Sequence, residues 1–470
     1  MIDSTGIAPR EEQRRKLILE GNLWRVVPML AAPLAIYALF NYFYGFFDMM
    51  VAARIGKSAL ASIIFIDEIK NAVTAFGVGI ASGGMVLVAR HLGAKDVTTA
   101  RKIATTTLAL SFVVSLSVVI VTTLFARPIL RILNASDAMI SEGLSYFVIQ
   151  MVTTAIIGIN ACFMGMEKAK GNTMMVLYLN VFAMMIKLAL TAIFAFGLGL
   201  GTAYVALATL IAQSLMMMVA IRIMFSKRNY LKISFQRGMI TGEHVKNIIV
   251  LSLPVFAGKF LFSIGKVAVN ALAALYGTMA VATFGLAMKL SSGAGTLGQV
   301  FEEAETGIVS QNLGNRNPKR AFKTYCVSQV YSFAITVIGF IVVSLTFTKI
   351  LVLFTDRADT EFIAMLTDIF RYERYSIITS AMVAIISGFF IGYKLPRVVL
   401  VLNVVRLYVF RIPALWIFQA CDFGHEALGY AMFISNTMTA LIAVFFVLRL
   451  YQKHRVQPDS HMNPPHISYP

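Results

Sequence analysis

LVARHLGAKDVTTARK, residues 87–102, breaks a long apolar run with a polar, basic knot, and IVSQNLGNRNPKRAFK, residues 308–323, echoes it. Sliding the chain by 221 positions, the step from Gly93 to Gly314, sets Leu92 on Leu313, Ala100 on Ala321 and Lys102 on Lys323. Upstream the register holds: Pro33 meets Pro254, Ala52 and Ala53 meet Ala273 and Ala274, Gly56 meets Gly277, and Ala59 and Ala61 meet Ala280 and Ala282. Gap-free agreement over such a length marks an internal duplication.

The medium in which the duplicated unit folds follows from composition. The 470 residues are 58% hydrophobic and 14% charged, with a mean hydropathy of +0.76, whereas a soluble domain is roughly a quarter charged. Apolar stretches recur at the roughly 20-residue length that crosses a hydrocarbon core as helix. A membrane β-barrel would show alternating segments of roughly 10 residues instead. Hydropathy predicts an all-α membrane protein with twelve transmembrane helices, near 23–48, 59–89, 103–126, 139–164, 173–197, 202–225, 247–274, 280–310, 324–354, 364–392, 397–419 and 426–450. Six helices separate the two copies, so both start on the same membrane face. That makes a parallel repeat, two pseudo-twofold related six-helix bundles with a substrate site expected between them. The expected division is 1–22 as a cytoplasmic segment forming a short surface helix, 23–235 as N-lobe, 236–452 as C-lobe, and 453–470 as a Pro-rich, disordered tail.

The net charge of +18 is explained by topology. Lys and Arg crowd the loops on the side of the N-terminus, among them Arg90, Lys95, Lys168, Lys170, Lys227, Arg316, Lys319 and Lys394, while the other side carries few, mainly Arg54, Lys57, Arg127, Arg131, Lys349 and Arg357. By the positive-inside rule both termini are cytoplasmic, and nucleic acid is set aside as a partner. The first residues stay charged up to the first apolar run, unlike a signal peptide. Cys162, Cys326 and Cys421 lack metal or disulfide spacing. No phosphate-binding GxxxxGK[ST] loop and no HExxH or GxSxG signature occurs, which argues against an enzyme and leaves ATP unhydrolysed by this chain.

Polar side chains inside spans are costly and therefore informative. Tyr37, Asn41, Tyr44 and Asp48 form one face of the first span, with Asp48 the best candidate for a cation-responsive carboxylate; a structural pair near the helix end is the plainer reading. The seventh span sets Lys259, Ser263, Lys266 and Asn270 on one stripe, and the eighth sets Ser292, Thr296, Gln299, Glu303, Thr306 and Ser310 on another, flanked by Glu302 and Glu305. These opposed stripes either close into a salt-bridge network or couple protonation to movement. In the fifth span Lys187 precedes Thr191 by one turn; it either pairs with Asp48 or meets an anionic substrate. Arg406 and Arg411 read as packing or snorkelling residues.

Five stretches carry a family resemblance: FFDMMVAARIGKSALAS at 46–62, VARHLGAKD at 88–96, LPVFAGKFLFSIGKVAVNALAALYG at 253–277, FEEAETGIVSQNLGNRN at 301–317 and NVVRLYVFRIPALW at 403–416. In order and spacing the chain resembles the multidrug and toxic compound extrusion transporters, in their DinF-like branch, of the wider flippase superfamily. The resemblance implies a multi-pass protein of a bacterial-type inner membrane that exports a small organic compound, a drug, toxin or metabolite, in antiport with H⁺ or Na⁺ by alternating access. It implies no cofactor beyond the coupling ion, membrane lipid as surroundings and a monomer. By position Asp48 matches the family's cation-site aspartate, with Na⁺ as its candidate ion, and Glu303 and Asn270 match polar positions of spans eight and seven. Cation coupling is thus expected at Asp48, Glu303 and Lys187, and substrate contact at Tyr37, Asn41, Tyr44, Thr191, Lys259, Lys266, Asn270, Gln299, Glu302 and Thr306. One departure stands out: Lys187 and Thr191 occupy the place of the family's Asn and Asp, which removes an acidic ligand and adds a cation. That leaves a second function open, a flippase or exporter for a lipid-linked saccharide or other anionic amphiphile, and a non-transporting, receptor-like scaffold as a third.

Overall fold

The computed structural model describes residues 9–55, 57–132, 137–227, 229–351 and 360–456; the side chains of 46–65, 67, 68 and a few further positions, mostly near helix ends, are not among those described. The helices are α1 (Pro9–Glu20), α2 (Leu23–Ile55), α3 (Lys57–Gly93), α4 (Val97–Leu124), α5 (Ala126–Ile132), α6 (Asp137–Ala169), α7 (Thr173–Ala192) and α8 (Thr202–Phe225), then α9 (Gly242–Ala273), α10 (Thr278–Gly314), α11 (Pro318–Leu351), α12 (Thr360–Glu373), α13 (Ser376–Gly392), α14 (Pro396–Val404), α15 (Ile412–Ala420) and α16 (Ala427–Val456). Among the described residues ten spans and one bent pair, α12 with α13, are long and apolar enough to cross a membrane. The twelfth span is α10, long enough but charged at Lys289, Glu302, Glu303 and Glu305. The expected tail at 453–470 lies almost wholly outside the described residues.

The duplication reappears as packing. In the N-lobe α3 packs on α4 and α6, and in the C-lobe α10 packs on α11 and α13. Small polar residues at i, i+4 and i+8 line both junctions: Thr107, Ser111 and Ser115 on α4, and their register mates Ser328, Ser332 and Thr336 on α11, all buried. Between membrane helices, where lipid tails are as apolar as leucine, small residues let backbones approach and so drive association. α2 leans on α7 of its own lobe and α10 of the other; α9 likewise leans on α14 and α3.

Four helices, α3, α6, α10 and α13, end in the same turn, with left-handed residues at Lys95, Gly171, Arg316 and Lys394. After α3 the Asp96 N–H donates to His91 O at 2.9 Å and the Lys95 N–H to Leu92 O at 3.2 Å; after α10 Asn317 and Arg316 repeat both bonds. These are Schellman closures. Asp96 and Asn317 then cap the next helix, accepting from the N–H of Thr99 and of Arg320, each at 3.0 Å. Gly93 and Gly314, the glycines of the duplicated knot, are not the turn residues, since both are still helical. They are glycine because the lobes touch there. A Cβ on Gly93 would overlap the Gln311 carbonyl, and one on Gly314 would overlap the Arg90 carbonyl. Arg90 and Gln311 are themselves register mates, so the pseudo-twofold axis runs through this contact.

α1 is a helix, as expected, but it docks on protein. Arg15 donates to Gly93 O at 3.4 Å in the N-lobe, and Arg320 of the C-lobe donates to Ile18 O at 3.0 Å. Ile18 and Leu19 are buried. Burial pushes the Glu11 carboxyl up, while the hydrogen bond from Arg15 holds Glu12 below the usual carboxylate range.

Candidate functional site

The C-lobe encloses a cavity of about 360 Å³. α9 contributes Lys259 and Lys266, α10 contributes Ser291, Gln299 and Glu302, and the bend between α12 and α13 contributes Glu373 and Ser376. Asn403, Arg406, Arg411 and Asn436 add to the polar wall, while Val255, Phe262, Met288 and Met432 are apolar.

Two irregularities of the backbone build this wall. The α12–α13 pair bends by 43°, which turns Glu373 inward; it is 2% exposed and accepts hydrogen bonds from Ser291 and Ser376. Between α14 and α15, residues Val405–Arg411 are π-helical. Pro413 follows at the start of α15, and because it lacks an N–H the ordinary bond to the residue four back cannot form. Five residues apart, Arg406 and Arg411 would lie about 140° apart around an α-helix. Bonding from i to i+5 brings them onto one face. Arg411 donates to Ser435 Oγ at 3.0 Å and Asn436 Oδ1 at 3.2 Å. Arg406 lies 4.2 Å from the centre of the Phe262 ring, and its Nε is buried without a hydrogen-bond partner. Arg411 thus packs, as expected, and both arginines in addition line the cavity.

A smaller N-lobe pocket of about 80 Å³ is lined by Tyr37, Asn41, Tyr44, Asn180, Lys187 and Gln213, among others. Lys187 Nζ sits 4.1 Å from the centre of the Tyr44 ring, a cation over an aromatic face. Thr191 is fully buried and its hydroxyl has no hydrogen-bond partner; it does not line the pocket. The side chain of Asp48 lies outside the described residues.

Between the lobes, Glu303 of α10 pairs with Lys168 of α6 at 2.6 Å, and Gln311 Nε2 donates to Ala169 O at 2.6 Å. Glu303 thus joins the lobes, whereas Glu302, Gln299, Lys259 and Lys266 gather in the C-lobe cavity. Thr306 packs α10 on α13 through Gly388 O at 3.2 Å, and Asn270 is exposed near the end of α9; neither lines the two pockets described here. Glu373 and Asn436 do not stand out in the sequence, and Asn403 does so only as the first residue of the quoted 403–416 stretch; for Glu373 the signal is the charged RYERYS stretch at 371–376. Among the described residues no group of three or more His, Cys, Asp or Glu side chains is arranged to hold a metal.

A family model matches twice, over residues 33–193 and 254–417, and the two matches begin 221 positions apart, on Pro33 and Pro254. The chain belongs to the MatE family. Multidrug export protein MepA of Staphylococcus haemolyticus is 23% identical over 94% of this chain and 97% of its own length, and the uncharacterised transporter YisQ of Bacillus subtilis is 20% identical over 70% and 73%. Two solved structures share the fold, each with a TM-score of 0.88 over 93% of this chain and 98% of theirs. One, 20% identical, is the outward-facing conformation of a multidrug resistance MATE transporter. The other, 21% identical, is a Pyrococcus furiosus transporter whose binding pocket is described as reversed in polarity, suggesting a different function. The protein is thus a multi-pass integral membrane protein of the MatE type, in a family of efflux transporters rather than enzymes.

Proposed function

We propose that the protein exports a small organic compound by alternating access, in exchange for H⁺ or Na⁺, and that the face carrying α1 is cytoplasmic. The observation that carries this is the seam between the lobes. Every contact named above between α3 or α6 and α10 falls in the later halves of these helices, toward the α1 face: Gly93 on Gln311, Gly314 on Arg90, Lys168 on Glu303 and Gln311 on Ala169. A chain closed on its basic face is poised to release cargo to the other side. The outward-facing MATE structure that it resembles supports the same reading. Opening the α1 face requires the Lys168–Glu303 pair and the glycine contacts to part, so coupling-ion binding must favour one arrangement over the other.

Asp48 and Lys187 belong to the coupling machinery in this reading, with Glu303 as the latch between lobes. Asp48→Asn is expected to abolish ion-driven efflux from proteoliposomes while leaving the protein inserted and monodisperse. Normal efflux by that variant would remove Asp48 from coupling, and absence of any ion-driven flux in the parent protein would reject transport itself. A second reading, export of an anionic amphiphile, is favoured by the cationic wall of the C-lobe cavity.

A further inference from the structure

The charges around the C-lobe cavity do not cancel. Four cationic side chains, Lys259, Lys266, Arg406 and Arg411, line it beside two carboxylates, Glu302 and Glu373. Glu373 is already occupied by Ser291 and Ser376, and Arg411 by Ser435 and Asn436. Arg406 is different. Its guanidinium carbon lies 4.2 Å from the centre of the Phe262 ring, Asn403 takes one Nη2 hydrogen bond at 3.4 Å, and the Nε is buried with no acceptor. A buried N–H in that condition calls for an acceptor, which water or the head group of a ligand can supply. Lys259 is exposed on the same cavity. Val255, Phe262, Met288 and Met432 supply apolar lining beside these charges.

We propose that this cavity binds an anionic amphiphile, its carboxylate or phosphate head held by Arg406 and Lys259 and its apolar body lying against Phe262, Met288 and Met432. A guanidinium edge with a free Nε presents the fork that oxyanions accept in bidentate fashion. An organic cation entering the same space meets Arg406 and Lys259 at the place where the head group would sit. The inference names the cargo class for the efflux reading and rests on that reading for release to the far side. Phosphate and carboxylate heads occur both on soluble compounds and on lipids, and the cavity chemistry is common to the two.

Titration calorimetry on the full-length protein in an uncharged detergent, with octyl phosphate against octyltrimethylammonium, tests it. Octyl phosphate binds, and Arg406→Gln and Lys259→Gln each weaken it roughly tenfold to a hundredfold, the effect of losing one charge-assisted hydrogen bond. Lys259→Gln alters an exposed side chain, so it keeps the test decisive should Arg406→Gln fail to fold. Phosphatidic acid in phosphatidylcholine nanodiscs forms the second arm: Arg406-dependent binding of that lipid assigns a lipid cargo, and binding of octyl phosphate alone assigns a soluble one, both supporting the anion site. Equal or tighter binding of the ammonium compound, or phosphate binding indifferent to both substitutions, overturns it. Ion-driven efflux is scored separately. Arg406-dependent phosphate binding without any flux rejects the transport reading and keeps the site, whereas flux without phosphate binding does the reverse.

Discussion

Lys95 and Arg316 hold a left-handed conformation that glycine adopts without steric cost, while two residues earlier Gly93 and Gly314 are glycine for want of room. A side chain in that backbone region costs about 1–2 kcal/mol, partly offset by the entropy a glycine adds to the unfolded chain. Lys95→Gly and Arg316→Gly are therefore expected to raise thermal stability by about 0.5–1 kcal/mol each. Gly93→Ala and Gly314→Ala should do the opposite, because a Cβ at either place displaces the facing carbonyl and pries the lobes apart. Thermal unfolding of the four purified variants checks both signs. Lys394 adds a pH dependence to the same face: burial, with Arg90 adding to it, pushes its ammonium down to about 8 from an ordinary 10.5. The packed state thus disfavours the proton. Its penalty is complete below pH 8 and is relieved as pH rises from about 8 toward 10.5. Stability of the parent protein should gain over that window, and the gain should be missing in Lys394→Asn.

At the scale of elements, the spans themselves were legible in the sequence, since length and hydropathy are what a bilayer selects. The irregular ones were not. A pattern read at 3.6 residues per turn sets Arg406 and Arg411 on different faces; only the π-helical stretch before Pro413 unites them. Glu373 was hidden for a similar reason, lying where α12 breaks from α13 rather than on the face of a continuous helix. Pro413→Ala restores the missing N–H and with it the option of α-helical bonding. Its expected result is a protein at least as stable as the parent but with weaker octyl phosphate binding, seen by unfolding and calorimetry on one preparation. Unchanged binding would mean that the π-helical stretch does not set the arginine geometry.

For the whole molecule the duplicated knot was the most informative stretch of all. It gave the register, and the register gave the lobes, because an even number of crossings between copies fixes a parallel arrangement. Contacts between lobes were beyond reach, since nothing in the spacing of Lys168 and Glu303, 135 residues apart, announces that they meet. Those contacts carry the proposal that the lobes close at the α1 face and part when ion or cargo binds. Thr98 and Lys319 are register mates, both exposed beside the seam on opposite lobes. With spin labels on cysteines at these two positions, and Cys326 and Cys421 replaced by Ser, pulsed electron resonance reads the distance between the lobes directly. The account predicts a short distance in the resting protein and a second, longer one whose population changes with pH, Na⁺ or bound octyl phosphate. A single distance unmoved by all three would contradict it.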